Sequence, residues 1–139
     1  MSLDAWGGSD SRIGARGVLT LGLNHTTAPL DVRGKFAFEP HQLQTPLRAL
    51  TERLVRAGPE AALLSTCNRT ELYLAAEARE LNDLVRPATE WLAAQGGVSP
   101  DQLVAYTYTA ENRAAARHAF RVAAGLDSMV LGEPQILGQ

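Results

Sequence analysis

Residues 61–75 read AALLSTCNRTELYLA. Two runs of strand length and composition, Ala61–Ser65 and Glu71–Ala75, flank the short polar segment Thr66–Arg69. The stretch predicts two consecutive strands, with Cys67 where one hands over to the next. Toward the C-terminus, Leu81, Leu84, Val85, Ala88, Trp91 and Leu92 recur at intervals of 3, 4 and 7 residues within Glu77–Gln95, the period of an amphipathic helix, and Gly96-Gly97 supplies its stop. Leu103–Tyr108 reads as a final strand, with Thr109 as N-cap of a helix running to about Ala124 and stopped by Gly125. Toward the N-terminus, Leu43, Leu47, Leu50, Leu54 and Val55 follow helical spacing up to Gly58-Pro59. Pro40 suits a first helical position, but Pro46 inside that helix would kink it, so a start at Thr45 is the alternative. Asp31–Phe38 predicts a short helix, and Val18, Leu19, Leu21 and Leu23 a first strand closed by the loop Asn24–Pro29. The order β, α, β, β, α, β, α points to an α+β fold, a ferredoxin-like sandwich in which a small sheet carries helices packed on one face.

Composition sets outer bounds. The 139 residues, 45% apolar and 20% charged, suit one soluble domain and are too few for a dinucleotide-binding domain beside a separate substrate domain. Residues 1–16 are poor in large apolar side chains and read as a flexible leader or appended sequence, leaving 17–139 as the folded domain. Thirteen basic against fifteen acidic side chains exclude bulk attraction to nucleic acid or an anionic membrane, so any polyanion contact must be local. One cysteine cannot form an internal disulfide or a multi-cysteine zinc site, and no apolar run reaches the length of a membrane span or a secretory signal. A reducing, cytoplasmic setting is expected.

Cys67 is the first candidate for chemistry. A thiol in a polar turn beside a cation can be held as thiolate, and Arg69, two residues on, would share its face in an extended segment. A lone cysteine is more often a small buried hydrophobe; the flanking Thr66, Asn68 and Arg69 bring the two readings level. Among the histidines, His41 reads as solvated, and His25 as either a turn residue or a functional one. His118 shares a helix face with Val122 and so points inward or into a cleft. Arg113, Arg117 and Arg121 form one basic stripe, read as a solvated face with ordinary salt pairs rather than a phosphate contact. No glycine pattern of a phosphate cradle is present, and Cys67 and the histidines lack metal-ligand spacing. The residues alone leave two classes open: an enzyme acting through Cys67, or a non-enzymatic α+β module binding a small molecule or protein.

Three stretches carry a resemblance. Gly22-Leu23-Asn24-His25-Thr26-Thr27-Ala28-Pro29, Leu64-Ser65-Thr66-Cys67-Asn68-Arg69-Thr70-Glu71, and the run from His118 through Gln139 together resemble the N-terminal catalytic domain of glutamyl-tRNA reductases, which open tetrapyrrole (porphyrin) biosynthesis. The resemblance implies that Cys67 takes the glutamyl group of glutamyl-tRNA(Glu) as a thioester, which NADPH then reduces to glutamate-1-semialdehyde. It implies His118 as a proton-transfer group near the sulfur, and Thr66, Asn68, Arg69, Ser128, Glu133 and Gln135 as residues holding the glutamyl moiety. For the full-length enzyme it implies a homodimer and contact with the downstream glutamate-1-semialdehyde aminotransferase. The family's NADPH-binding and dimerisation domains would follow Gln139, so hydride transfer is not expected of this fragment. Gly34 stands where the family often has an acidic residue, which predicts a weaker short helix there.

Overall fold

The computed structural model describes residues 15–54 and 60–123. Four strands, β1 (Arg16–Asn24), β2 (Glu60–Ser65), β3 (Arg69–Glu77) and β4 (Tyr108–Glu111), form one sheet in the order β2-β3-β1-β4 with every neighbouring pair antiparallel. The helices are α1 (Leu30–Gly34), α2 (Gln44–Arg53), α3 (Leu81–Gly96), α4 (Pro100–Val104) and α5 (Asn112–Ala123). With β1 and β3 central, and α2 and α3 as the connections from β1 to β2 and from β3 toward β4, this is the expected ferredoxin-like α+β sandwich.

The two predicted runs at 61–75 form the β2–β3 hairpin, closed by Ser65 opposite Thr70. Alternation then sorts side chains by face. Leu19, Leu21 and Leu23 of β1 and Leu72, Leu74 and Ala76 of β3 point to one side, where Leu81, Leu84, Ala88, Trp91 and Leu92 of α3 complete the buried core with Phe36 and Leu50. The Trp91 indole N–H donates to the Pro46 carbonyl at 3.0 Å, tying α3 to α2. Pro46 is tolerated because it falls in the first turn of α2, where its missing N–H has no helical partner to lose. Val55 and Gly58-Pro59 lie outside the described residues, as do Ala124 and Gly125.

The expected strand at Leu103–Tyr108 is corrected. Ser99 caps α4 through a capping box with Gln102, and Pro100 occupies the first helical turn, so Leu103 is a buried helical residue. The strand forms later, and Thr109 pairs with Leu21 inside it instead of capping a helix. Asn112 makes the corner into α5 at φ 53°, a backbone region asparagine tolerates, and its Oδ1 accepts from the Val18 N–H at 3.2 Å. The expectation that the helices pack on one face is corrected for α5, which lies over the sheet face opposite α3, since His118 meets Glu71 while Leu72 faces the α3 core. No described helix is long and apolar enough to cross a membrane.

α3 ends as expected at its glycine pair, with Gly97 at φ 70°. Gly96 has a different role: a Cβ there would overlap the ring of Phe36, which is fully buried. Gly96→Ala should therefore lower stability by about 1–3 kcal/mol through overpacking, although alanine in a helix normally gains about 0.5–1 kcal/mol over glycine. Urea unfolding checks this as a lower midpoint at unchanged slope.

Candidate active site

On β3, Arg69, Glu71 and Tyr73 share the face turned away from the α3 core. Glu71 lies opposite Gly22 of β1, and Gly22 in turn lies opposite Tyr108 of β4. A Cβ at Gly22 would stand 2.7 Å from Glu71 Cγ and 3.1 Å from the Tyr108 hydroxyl. The missing side chain is thus what lets a carboxylate from one strand and a phenol two strands away meet above the strand between them. His118 of α5 closes over the pair.

The Glu71 carboxylate has no exposed surface. Its Oε1 accepts from the Tyr73 hydroxyl at 2.8 Å, and its Oε2 accepts from the Tyr108 hydroxyl and contacts His118 Nε2. Arg69 Nη1 stands 3.6 Å from the same Oε2. Burial pushes the carboxyl upward, but hydrogen bonds from His118, Tyr108 and Tyr73 and the charge of His118 outweigh it, and Glu71 titrates below the ordinary carboxylate value. Burial, then the adjoining carboxylate, push the Tyr108 phenol far up, so it stays a protonated donor. An ionised carboxylate is an acceptor only, so in this contact the His118 Nε2–H is the donor.

Cys67 is exposed, in the turn between β2 and β3. Thr66 shapes that turn: its N–H donates to the Arg69 carbonyl at 2.8 Å, and its hydroxyl accepts from the Asn68 N–H at 3.2 Å. Below the turn, the Ser65 and Thr70 hydroxyls both donate to the Phe36 carbonyl, at 3.2 and 2.6 Å. Arg69 is 1% exposed and faces Glu71, so the guanidinium is part of the buried network at the root of the turn. At the same end of the sheet, Asn24 pairs with Arg69, and the His25–Ala28 loop that follows is folded onto Asn24, whose Oδ1 accepts from the N–H and hydroxyl of Thr26. Ser128, Glu133 and Gln135 lie outside the described residues. The structure thus gathers Cys67, Thr66, Asn68 and Arg69 at one turn and links Arg69 to His118 through Glu71. Glu71, Tyr73, Tyr108 and Gly22 are the members that sequence reasoning missed.

The profile of the glutamyl-tRNAGlu reductase N-terminal domain matches residues 21–139. The chain belongs to this family. A glutamyl-tRNA reductase of Polaromonas sp. strain JS666 is 61% identical over 122 residues, covering 88% of this chain and 28% of that protein. One from Methylococcus capsulatus is 49% identical over 122 residues with the same coverage. The solved glutamyl-tRNA reductase from Methanopyrus kandleri has a TM-score of 0.60 and 28% identity over 88% of this chain and 26% of that one. The chain thus spans about 28% of the length of the first of these relatives. Of the three stretches that carry the resemblance, one brings Gly22 and Asn24 to the site, the second Cys67, Arg69 and Glu71, and the third opens at His118.

The depressed Glu71 carboxyl sets a pH dependence. Its stabilising contribution is complete above the unfolded value of about 4.3 and is lost as pH falls through the lower folded value. Glu71→Gln should cost about 1–3 kcal/mol at neutral pH, because the donors around it lose a full acceptor, and should flatten the fall in stability below pH ~4.3. Urea unfolding of both proteins between neutral and acid pH measures this.

Proposed function

We propose that this chain is the glutamyl-accepting part of a glutamyl-tRNA reductase and that Cys67 receives the glutamyl group. The observation that carries the reading is an exposed cysteine on a turn whose root, Arg69, is bound into the Glu71–His118 network. A thiolate attacks the ester carbonyl carbon; the S–C bond forms and the C–O bond to the terminal ribose breaks, giving a thioester and a tRNA hydroxyl. The thiol proton passes to His118 and from there to the departing ribose oxygen, so proton and charge balance across the step. Glu71 holds the imidazole in the Nε2–H form and stabilises it when protonated, which makes Glu71 a positioning residue. Thr66 and Asn68 take the glutamyl group at the turn, and Arg69, buried at its root, adds positive charge beneath it. Ser128, Glu133 and Gln135, outside the described residues, are proposed for the same group on the resemblance alone.

A thioester carbonyl accepts hydride more readily than an ester, which fits a family that reduces the acyl group with NADPH to glutamate-1-semialdehyde for tetrapyrrole synthesis. Among the described residues, no junction from strand to helix carries a glycine-patterned cradle for a dinucleotide pyrophosphate.

Acid-quenched intact-mass measurement after mixing with glutamyl-tRNA tests the reading. A glutamyl increment should appear on the unsubstituted chain and be absent from Cys67→Ser. His118→Ala should slow its appearance by about 100-fold, the lower range for losing a general acid–base group. Absence of any adduct under single-turnover conditions would return the chain to the class of binding modules.

A further inference from the structure

The outer face of α5 takes no part in the network described above. The helix buries Ala115 and Val122 and leaves Arg113, Arg117 and Arg121 exposed. Spaced four residues apart, they form one row about 12 Å long. With Ala114 and His118 they line an open cleft of about 440 Å³. α5 contains no acidic residue, and none of the three arginines forms an ion pair among the described residues. The expected ordinary salt pairs are therefore not found there, although like charges four residues apart on a helix repel. Phe120, three residues from Arg117 and one from Arg121, is 78% exposed beside the row. A chain of formal charge −2 thus concentrates on one helix face three cations and an unpacked aromatic ring. Guanidinium groups that follow phosphates, together with a ring on which a base can stack, are the means by which proteins hold single-stranded nucleic acid.

We propose that the outer face of α5 binds the single-stranded 3′ end of the RNA that carries the glutamyl group, laid along Arg113, Arg117 and Arg121 toward His118. The proposal rests on the acyl-transfer reading above, which is what brings an RNA strand to this side of the molecule. A single row of cations with one stacking surface suits one strand and reads no base edges, so the contact is sequence-tolerant and salt-sensitive.

The test is fluorescence anisotropy of the 139-residue chain with labelled deacylated tRNA and with a single-stranded oligoribonucleotide of the same 3′ sequence, at several salt concentrations. Both probes should bind. In the triple variant Arg113→Gln, Arg117→Gln, Arg121→Gln, the slope of log affinity against log salt should become shallower by about 2 for either probe, as three lost single-strand phosphate contacts require. Phe120→Ala should weaken binding by about five-fold or more at unchanged slope. Circular dichroism establishes that the variants are folded. No binding, or a slope the triple variant does not move, overturns the proposal; if sedimentation shifts in that case, the face belongs to a second copy of the chain. A slope change confined to tRNA overturns the single-strand assignment. Loading of Cys67 from 3′-glutamyl-adenosine, an ester without an RNA chain, should be equal in the triple variant and the unsubstituted chain. Loading with an unmoved slope leaves the acyl reading standing and removes this one; a moved slope without loading does the reverse.

Discussion

The Glu71 carboxylate accepts from Tyr73 on its own strand, Tyr108 on β4 and His118 on α5, over the space left by Gly22 on the strand between. An ionised carboxylate without exposed surface is tolerated only when its lone pairs are met, because the water it gave up would otherwise have to be replaced at several kcal/mol. Meeting them requires β1, β3, β4 and α5 to hold one mutual arrangement. The opposite face of the sheet asks less of geometry. Its leucines and Trp91 gain from burial in any well-filled packing, whereas the polar face works with particular atoms at particular positions. The apolar face supplies most of the stabilisation, and the polar face fixes where α5, and with it His118, must sit.

The same division explains how the chain keeps a thiol in solvent on a defined support. The turn bearing Cys67 is held from two sides. Ser65 and Thr70, the pair that closes the hairpin, bind the Phe36 carbonyl, while Arg69 reaches into the Glu71 network on the other face. The exposed residue therefore stands on a turn whose flanking residues are half-buried or buried. Access and a fixed support are thus combined at one residue, the combination on which oriented reaction of a side chain depends.

Much of the fold was legible because its signals are local. Residues 61–75 and the spacing of Leu81, Leu84, Ala88, Trp91 and Leu92 each reach the right element without knowledge of the rest of the chain. Leu103 misled because an apolar residue in a short run looks the same in a strand and in one turn of helix; the Ser99–Gln102 capping box was the signal that decides it. The polar turn around Cys67 was legible, and the structure leaves the thiol exposed there; the inward turn of His118 was legible from its helix face, but its partner was not. Glu71 was missed because in an alternating strand a glutamate beside leucines reads as an ordinary solvent-facing residue. Its partners Tyr108 and His118 lie 37 and 47 residues away, and only the placement of β4 and α5 brings them to it. Gly22 was quoted as part of a motif, but its reason is equally remote: it is small because of what stands on the strands to either side.

Register is the link between this fold and its chemistry. Gly22 opposes Glu71 and Tyr108, while its neighbours Leu21 and Leu23 face the core. A slip of one residue between β1 and β3 would turn the leucines toward α5 and the glutamate toward α3, burying a charge among aliphatic side chains. The apolar pattern that selects the register for stability is thus the same pattern that aligns the glycine, the carboxylate and the phenol in one row across the sheet. The hairpin that sets β3 ends at Cys67, so the residue at the tip and the network behind it are fixed by one choice of pairing. The site does not need a separate scaffold; it is the second face of the strands whose first face is the core.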